Sequence, residues 1–108
     1  MRLATWAFIG GLISSLAGSA LAGEIFSFDQ VRAGLKSNRI HLVDVREANE
    51  FAVGHVPGAV NLPLSTFKAD QLPPPSEIPV VLMCRSGRRA GEAMTIAEAA
   101  GRSDVSVY

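Results

Sequence analysis

Residues 80–101, VVLMCRSGRRAGEAMTIAEAAG, contain the pattern that decides the fold class. The apolar run 80–84 has the length of one buried strand, and a tight polar loop is predicted directly after it, over 85–89. A helix is predicted to begin near Ala90 and to stop at Gly101. Its apolar side carries Ala90, Ala93, Met94, Ala97 and Ala100. A buried strand that turns directly into a helix is typical of α/β proteins.

The rest of the chain continues this alternation of strands and helices. Further strands are predicted over residues 40–45, 59–62 and 104–108. Further helices are predicted over residues 28–36, before a stop at Gly54, and after a cap at Ser65. Near-continuous apolar strands are typical of parallel sheets that are covered on both faces. We therefore expect one α/β domain with a small, mostly parallel sheet flanked by helices.

The composition indicates a globular domain with no surface for nucleic acid. Hydrophobic residues make up 48% of the 108 residues, and charged residues make up 19%, as in an ordinary folded domain. Ten basic side chains balance ten acidic ones, and no basic stripe with interleaved aromatic residues occurs. We expect no nucleic acid as a partner.

The first 22 residues are predicted to be a cleavable secretory signal. Arg2 is followed by an uncharged stretch that ends in Ala20-Leu21-Ala22, the small-x-small pattern at which signal peptidases cut. Cleavage would leave residues 23–108 as a periplasmic or secreted domain with no stable membrane association. The alternative is a membrane anchor that is not cleaved, because the uncharged run is about long enough to span a bilayer core.

Cys84 is the chain's one cysteine, and its neighbours favour a chemical role over a packing role. A single cysteine cannot form an internal disulfide, and such a residue is often a small buried hydrophobic side chain. Here it falls at the predicted carboxyl end of a central strand, where α/β proteins bind ligands. Backbone N–H groups of residues 86–89 and the nearby arginines both favour thiolate. We expect the thiol pKa to lie roughly one or more units below about 8.5.

Two motifs resemble a known family. The loop CRSGRRAGEA (84–93) and the upstream stretch LVDVREANEFAVGHVPGAVNLP (42–63) are similar, in order and separation, to the signatures of the rhodanese family of sulfurtransferases. The resemblance covers about residues 25–108, and the predicted export and the single domain are similar to small exported members. It implies that Cys84 takes the outer sulfur of a donor such as thiosulfate, becoming a persulfide and releasing sulfite. The sulfur would then pass to a thiol or cyanide-like acceptor, and no cofactor is implied.

The resemblance also assigns roles within the loop. The backbone N–H groups of residues 85–89, which include those of Ser86 and Gly87, would hold the charged sulfur. The guanidinium groups of Arg85, Arg88 and Arg89 would attract and orient the anionic part of the donor. The alternative for these arginines is a solvated basic surface.

The upstream motif is predicted to support the loop. Asp44 and Arg46 end the neighbouring strand, and we expect them to shape the loop structurally; a direct contact with it is the alternative. Glu47 and Glu50 are interpreted as helix-surface charges, and His55 as a turn residue with a structural hydrogen bond. The two histidines and the one cysteine do not have the spacing of a metal site, so no metal is expected.

Two rival functions stay open at this point. A phosphatase or arsenate reductase of the same fold also needs a thiolate in an anion-binding loop, but its loop has one residue more than the four between Cys84 and Arg89. A persulfide carrier that does not turn over needs the same cysteine and the same loop. We expect a monomer. Members of the family usually continue past the last strand into a closing helix, whereas this sequence stops at Tyr108 and this helix is apparently missing. The two interpretations are a fragment of a longer chain and a domain that is less stable than its relatives.

Overall fold

The structure is a computed structural model that describes residues 25–108. The predicted signal, residues 1–22, lies outside these residues. The helices of this part are α1 (Phe28–Lys36), α2 (Ala48–Val53) and α3 (Arg88–Ala99), and the strands are β1 (His41–Asp44), β2 (Val60–Asn61), β3 (Val80–Met83) and β4 (Val105–Val107). Across residues 25–108, no helix combines the length and the apolar composition that crossing a bilayer requires.

The four strands form one parallel sheet in the order β2-β1-β3-β4. Strand β3 is central and pairs along its whole length with β1, from His41 opposite Val80 to Asp44 opposite Met83. The carboxyl ends of β1 and β3 therefore lie side by side, and the Val45 N–H continues the ladder by donating to the Met83 carbonyl at 2.9 Å. This sheet confirms the predicted α/β fold with a small parallel sheet.

Apolar residues cover both faces of the sheet, because successive side chains of a strand point in opposite directions. On one face, helix α3 buries Ala90, Ala93 and Ala97 against a cluster that includes Cys84. On the other face, a second cluster joins Phe26 and Val31 to alternate residues of β1 and β3. Strand β3 is buried along its whole length, as its continuous apolar sequence predicts.

Helix α1 has the predicted bounds, and its capping box is present. The Gln30 N–H donates to Ser27 Oγ at 3.1 Å, and the Ser27 N–H donates to Gln30 Oε1 at 2.8 Å. These two bonds satisfy N–H groups that otherwise have no partner at a helix start. Helix α2 ends at Val53, and Gly54 directly follows it at the predicted stop.

Helix α3 begins at Arg88, two residues before the predicted start, and the loop after Cys84 is correspondingly shorter. Gly87 makes the early start possible, because its φ of 94° lies in the left-handed region that glycine adopts without strain. The residues of the predicted apolar side are buried or partly buried, with the exception of Ala100, which is exposed at the end of the helix.

The predicted helix after Ser65 is wrong. The chain instead forms two separate 3₁₀ turns, Leu64–Thr66 and Ala69–Gln71. Phe67 lies between them in an extended conformation and is buried in the core, which interrupts any continuous helix. The Ser65 hydroxyl donates to Glu47 Oε1 at 2.6 Å and therefore ties this segment to the start of α2 rather than capping a helix.

Candidate active site

Cys84 directly follows the central strand β3, at the carboxyl edge of the sheet. It is 8% exposed and packs in the cluster under helix α3. Residues 85–87 then form the short connection into α3. The predicted position of the cysteine at the end of a central strand is therefore confirmed.

Two backbone N–H groups point at the sulfur. The Gly87 N–H lies 3.1 Å from Cys84 Sγ, and the Ala90 N–H lies 3.3 Å from it. Both groups belong to the start of α3, where N–H groups lack partners within the helix and the helix dipole favours a negative charge. The sequence interpretation named the N–H groups of residues 86–89 and missed Ala90. In a helix that begins at Arg88, the Ala90 N–H has no hydrogen-bond partner within the helix and is available to the sulfur.

The environment of Cys84 favours the thiolate. Burial raises the pKa of the thiol, but hydrogen bonds from backbone N–H groups lower it by more, so the pKa lies below its ordinary value. The contributing N–H groups belong to Ala90, Gly87, Ser86 and Arg89. A thiolate held by hydrogen-bond donors is the form of cysteine that acts as a nucleophile.

The three loop arginines do not share one role. Arg88 forms an ion pair with Glu92, one turn along α3, and their side chains are 72% and 50% exposed. Arg89 donates two hydrogen bonds to Glu50, from Nη1 to Oε1 at 2.6 Å and from Nη2 to Oε2 at 3.2 Å. Arg85 is exposed, and no acidic residue between positions 25 and 108 forms an ion pair with it.

Asp44 and Arg46 bind each other and not the loop. Arg46 Nε donates to both carboxylate oxygens of Asp44 at 3.1 Å, and Arg46 Nη2 donates to Oδ2 at 2.8 Å and to the Gly54 carbonyl at 2.8 Å. Within residues 25–108, no hydrogen bond or ion pair from either side chain reaches residues 85–89. This pair closes the turn after β1 against the end of α2. That it shapes the loop at Cys84 stays a prediction.

Of the other residues in the upstream motif, His55 has the predicted contact and Glu50 has one that was not predicted. His55 Nδ1 lies 2.8 Å from the Phe51 carbonyl oxygen, and its ring stacks on Phe51 at 3.6 Å, so the predicted structural hydrogen bond is confirmed. Glu50 is not merely a helix-surface charge, because it binds Arg89. The hydrogen bond from Arg89 and a second from the Glu47 N–H lower the pKa of Glu50 to about 2.

A separate cleft of about 490 Å³ lies along β1 and β2 and beside the proline-containing segment 71–74. No residue from Cys84 to Ala90 lines it. We place the candidate site at Cys84 and not in this cleft, because the one cysteine of residues 25–108 and the N–H groups directed at its sulfur lie outside the cleft. Over residues 25–108, no group of three His, Cys, Asp or Glu side chains could hold a metal ion.

Comparison with known proteins agrees with this geometry. Residues 27–108 match the model of the Rhodanese-like domain. The chain is 32% identical over 98 residues to a thiosulfate:glutathione sulfurtransferase of Saccharomyces cerevisiae, covering 77% of this chain and 70% of that protein. A human protein of the same name is also 32% identical, over 76% of this chain and 84% of its own length.

Solved structures show the same fold. A human single-domain sulfurtransferase superposes with a TM-score of 0.67 at 31% identity, covering 80% of this chain and 88% of its own. A single-domain sulfurtransferase of Saccharomyces cerevisiae gives a TM-score of 0.69 at 30% identity, over 83% and 85% of the two chains. A cysteine held by backbone N–H groups at the end of the central strand, a matching domain model and these relatives lead to one conclusion: the chain belongs to the rhodanese-like family.

Proposed function

We propose that this protein is a thiosulfate-type sulfurtransferase that carries the transferred sulfur as a persulfide on Cys84. The observation that carries the proposal is the pair of N–H groups, from Gly87 and Ala90, at 3.1 and 3.3 Å from Cys84 Sγ. They favour the thiolate before the reaction, and the same end of α3 would hold the negative charge of the persulfide after it. The names of the yeast and human relatives support thiosulfate as donor and a thiol as acceptor.

The reaction then needs no cofactor. The Cys84 thiolate attacks the outer sulfur of thiosulfate and forms a new S–S bond, while the S–S bond of the donor breaks and sulfite leaves with the electron pair. In the second step, an acceptor thiolate attacks the outer sulfur of the persulfide. The electron pair of the broken bond returns to Cys84 Sγ, and the enzyme is again a thiolate.

The position of Arg89 favours sulfur transfer over phosphate chemistry. A phosphatase would need the arginine that closes the loop to bind the phosphate, but here both outer nitrogens of Arg89 are bound to Glu50. The loop is also short, with four residues between Cys84 and Arg89. We therefore favour a single sulfur atom, and not a tetrahedral phosphate, as the group that the loop holds.

Mass spectrometry tests the proposal directly. Reduced protein treated with thiosulfate should gain about 32 Da, the mass of one sulfur atom in the persulfide chemistry proposed here, and peptide mapping should place the gain on Cys84. No gain in mass by folded, reduced protein would overturn the proposal. Repeated turnover with glutathione as acceptor is expected for an enzyme, whereas a single transfer per molecule would indicate a persulfide carrier.

We also propose that the domain is exported, as the signal predicted over residues 1–22 indicates; in size and export it resembles phage-shock protein E. Trp6 is the single tryptophan of the sequence and lies in that segment. Protein recovered from the periplasm should therefore show no tryptophan emission. Membrane-bound protein that keeps its indole fluorescence would instead indicate a retained anchor.

A further inference from the structure

Glu50 and Arg89 connect two helices that are far apart in sequence. Their side chains are 28% and 20% exposed, and the two hydrogen bonds between them run side by side from the outer guanidinium nitrogens to the two carboxylate oxygens. Such a paired arrangement fixes the relative orientation of the two groups as well as their distance. The contact therefore holds the start of α3 against α2.

The Glu50 side chain is itself held in place at the start of α2. Its Oε1 also accepts a hydrogen bond from the Glu47 N–H at 3.0 Å. Glu47 in turn accepts hydrogen bonds from the Ser65 hydroxyl at 2.6 Å and the Ser65 N–H at 3.3 Å. Glu50 is therefore a fixed support rather than a mobile surface charge.

Arg89 lies between the two residues whose N–H groups are closest to the sulfur. The Gly87 N–H precedes it and the Ala90 N–H follows it, and the N–H of Arg89 itself also favours the thiolate. A side chain that anchors Arg89 therefore determines how this first helical turn faces Cys84. No side chain caps the start of α3, where Gly87 occupies the cap position. The contact with Glu50 therefore fixes a helix start that lacks a side-chain cap.

We propose that Glu50 is a positioning residue of the persulfide site. By binding both outer nitrogens of Arg89, it keeps the N–H groups of Gly87 and Ala90 directed at Cys84 Sγ and withholds the Arg89 guanidinium from the sulfur donor. Arg85, which has no ion pair among residues 25–108, is then the loop guanidinium available to an anionic donor. The inference rests on the proposed function, because it concerns the site that would hold the persulfide. Its test measures the thiol pKa of Cys84 and does not depend on sulfur transfer.

The test compares the thiol pKa of variants, measured as the pH dependence of Cys84 alkylation by iodoacetamide. If Glu50 acted only through its charge, Glu50→Gln would lower the thiol pKa, because a carboxylate near a thiolate disfavours it. If Glu50 acts by positioning, the thiol pKa should rise by about half a unit, with alkylation about threefold slower at neutral pH. The direction of the shift therefore separates the two explanations.

Arg89→Lys provides a second, independent variant. Lysine keeps the positive charge but cannot make the two parallel hydrogen bonds, so the same rise in thiol pKa is expected. Combining it with Glu50→Gln should add little, because both changes break one contact. Glu92→Gln is the matched control: it breaks the exposed ion pair with Arg88 on the same helix and should leave alkylation unchanged.

The other charged groups near the loop are the same in all these variants. They are Arg85 in the loop itself, Arg88 at the start of α3, Arg46 with Asp44 at the end of β1, and Glu47 at the start of α2. A lowered or unchanged thiol pKa in either folded variant, Glu50→Gln or Arg89→Lys, would overturn the positioning role. Far-UV circular dichroism identifies the folded variants, and either one decides the question alone.

The KM and kcat for thiosulfate distinguish a residue that binds the donor from one that positions the nucleophile. Arg85→Gln should raise the KM for thiosulfate about tenfold, as expected for a lost charge-assisted contact with the donor. Glu50→Gln should leave that KM within about twofold and lower kcat, as expected when only the nucleophile is disturbed. A KM for thiosulfate raised about tenfold in Glu50→Gln would show that the Glu50–Arg89 pair already takes part in binding the donor, which contradicts the proposal. Failure of every variant, and of the wild type, to transfer sulfur would count against the proposed function and not against the alkylation result.

Discussion

Replacing Cys84 with serine is expected to abolish sulfur transfer, with kcat/KM for thiosulfate falling roughly 10³-fold or more, as for the loss of other catalytic nucleophiles. Serine is nearly the same size, and its hydroxyl can still accept the hydrogen bonds that Gly87 and Ala90 donate to the sulfur. A hydroxyl is not ionised near neutral pH, however, and it cannot form a persulfide. The chemistry is therefore lost while the loop keeps its shape.

The measurement is the rate of thiosulfate-dependent thiocyanate or glutathione persulfide formation, together with the thermal unfolding of the variant. Thr95→Ala is a suitable control, because Thr95 is exposed on helix α3 and its hydroxyl bonds only to the Gly91 carbonyl of that helix. The control should keep its activity within about twofold. Substantial turnover by folded Cys84→Ser would mean that another group carries the sulfur.

Replacing Asp44 with asparagine is expected to produce the largest loss of stability, about 3 kcal/mol. The Asp44 side chain is fully buried, while that of Arg46 is 19% exposed and donates three side-chain hydrogen bonds to it. Asparagine removes the negative charge and leaves the guanidinium partly buried without compensation. For a domain of this size, the melting temperature should fall by more than about 10 °C.

Glu92→Gln again supplies the control, since its ion pair with Arg88 is exposed and such pairs contribute about 0–1 kcal/mol. Urea unfolding of both variants measures the difference directly. Equal stability of the two variants would show that the buried pair contributes no more than a surface pair. The rate of sulfur transfer per folded molecule should change little in Asp44→Asn, because Asp44 contacts Arg46 and not the loop at Cys84.

Elements with strong local signals could be predicted from the sequence. Helix α1 has the predicted bounds because its capping box, Ser27 with Gln30, is complete within four residues. The helix predicted after Ser65 failed because burial of Phe67 in the core outweighs the local preference for a helix. The start of α3 was misplaced by two residues because the conformation of Gly87, with φ of 94°, is not visible in its sequence neighbours.

The sequence by itself predicted the parallel α/β architecture, because the continuous apolar runs of the strands are local patterns. Its two motifs, 42–63 and 84–93, indicated the family by resemblance, and they singled out Cys84 as the candidate nucleophile. Only the tertiary structure decided which acidic residue, if any, each arginine of the loop binds. Arg89 and Glu50 are 39 positions apart, and the sequence offers several carboxylates that any loop arginine could bind. Which one it meets depends on how α2 and α3 pack at the carboxyl edge of the sheet. The direction of the Gly87 and Ala90 N–H groups toward Cys84 Sγ depends on the same packing. A hydrogen bond requires a distance and an angle that a sequence pattern does not specify.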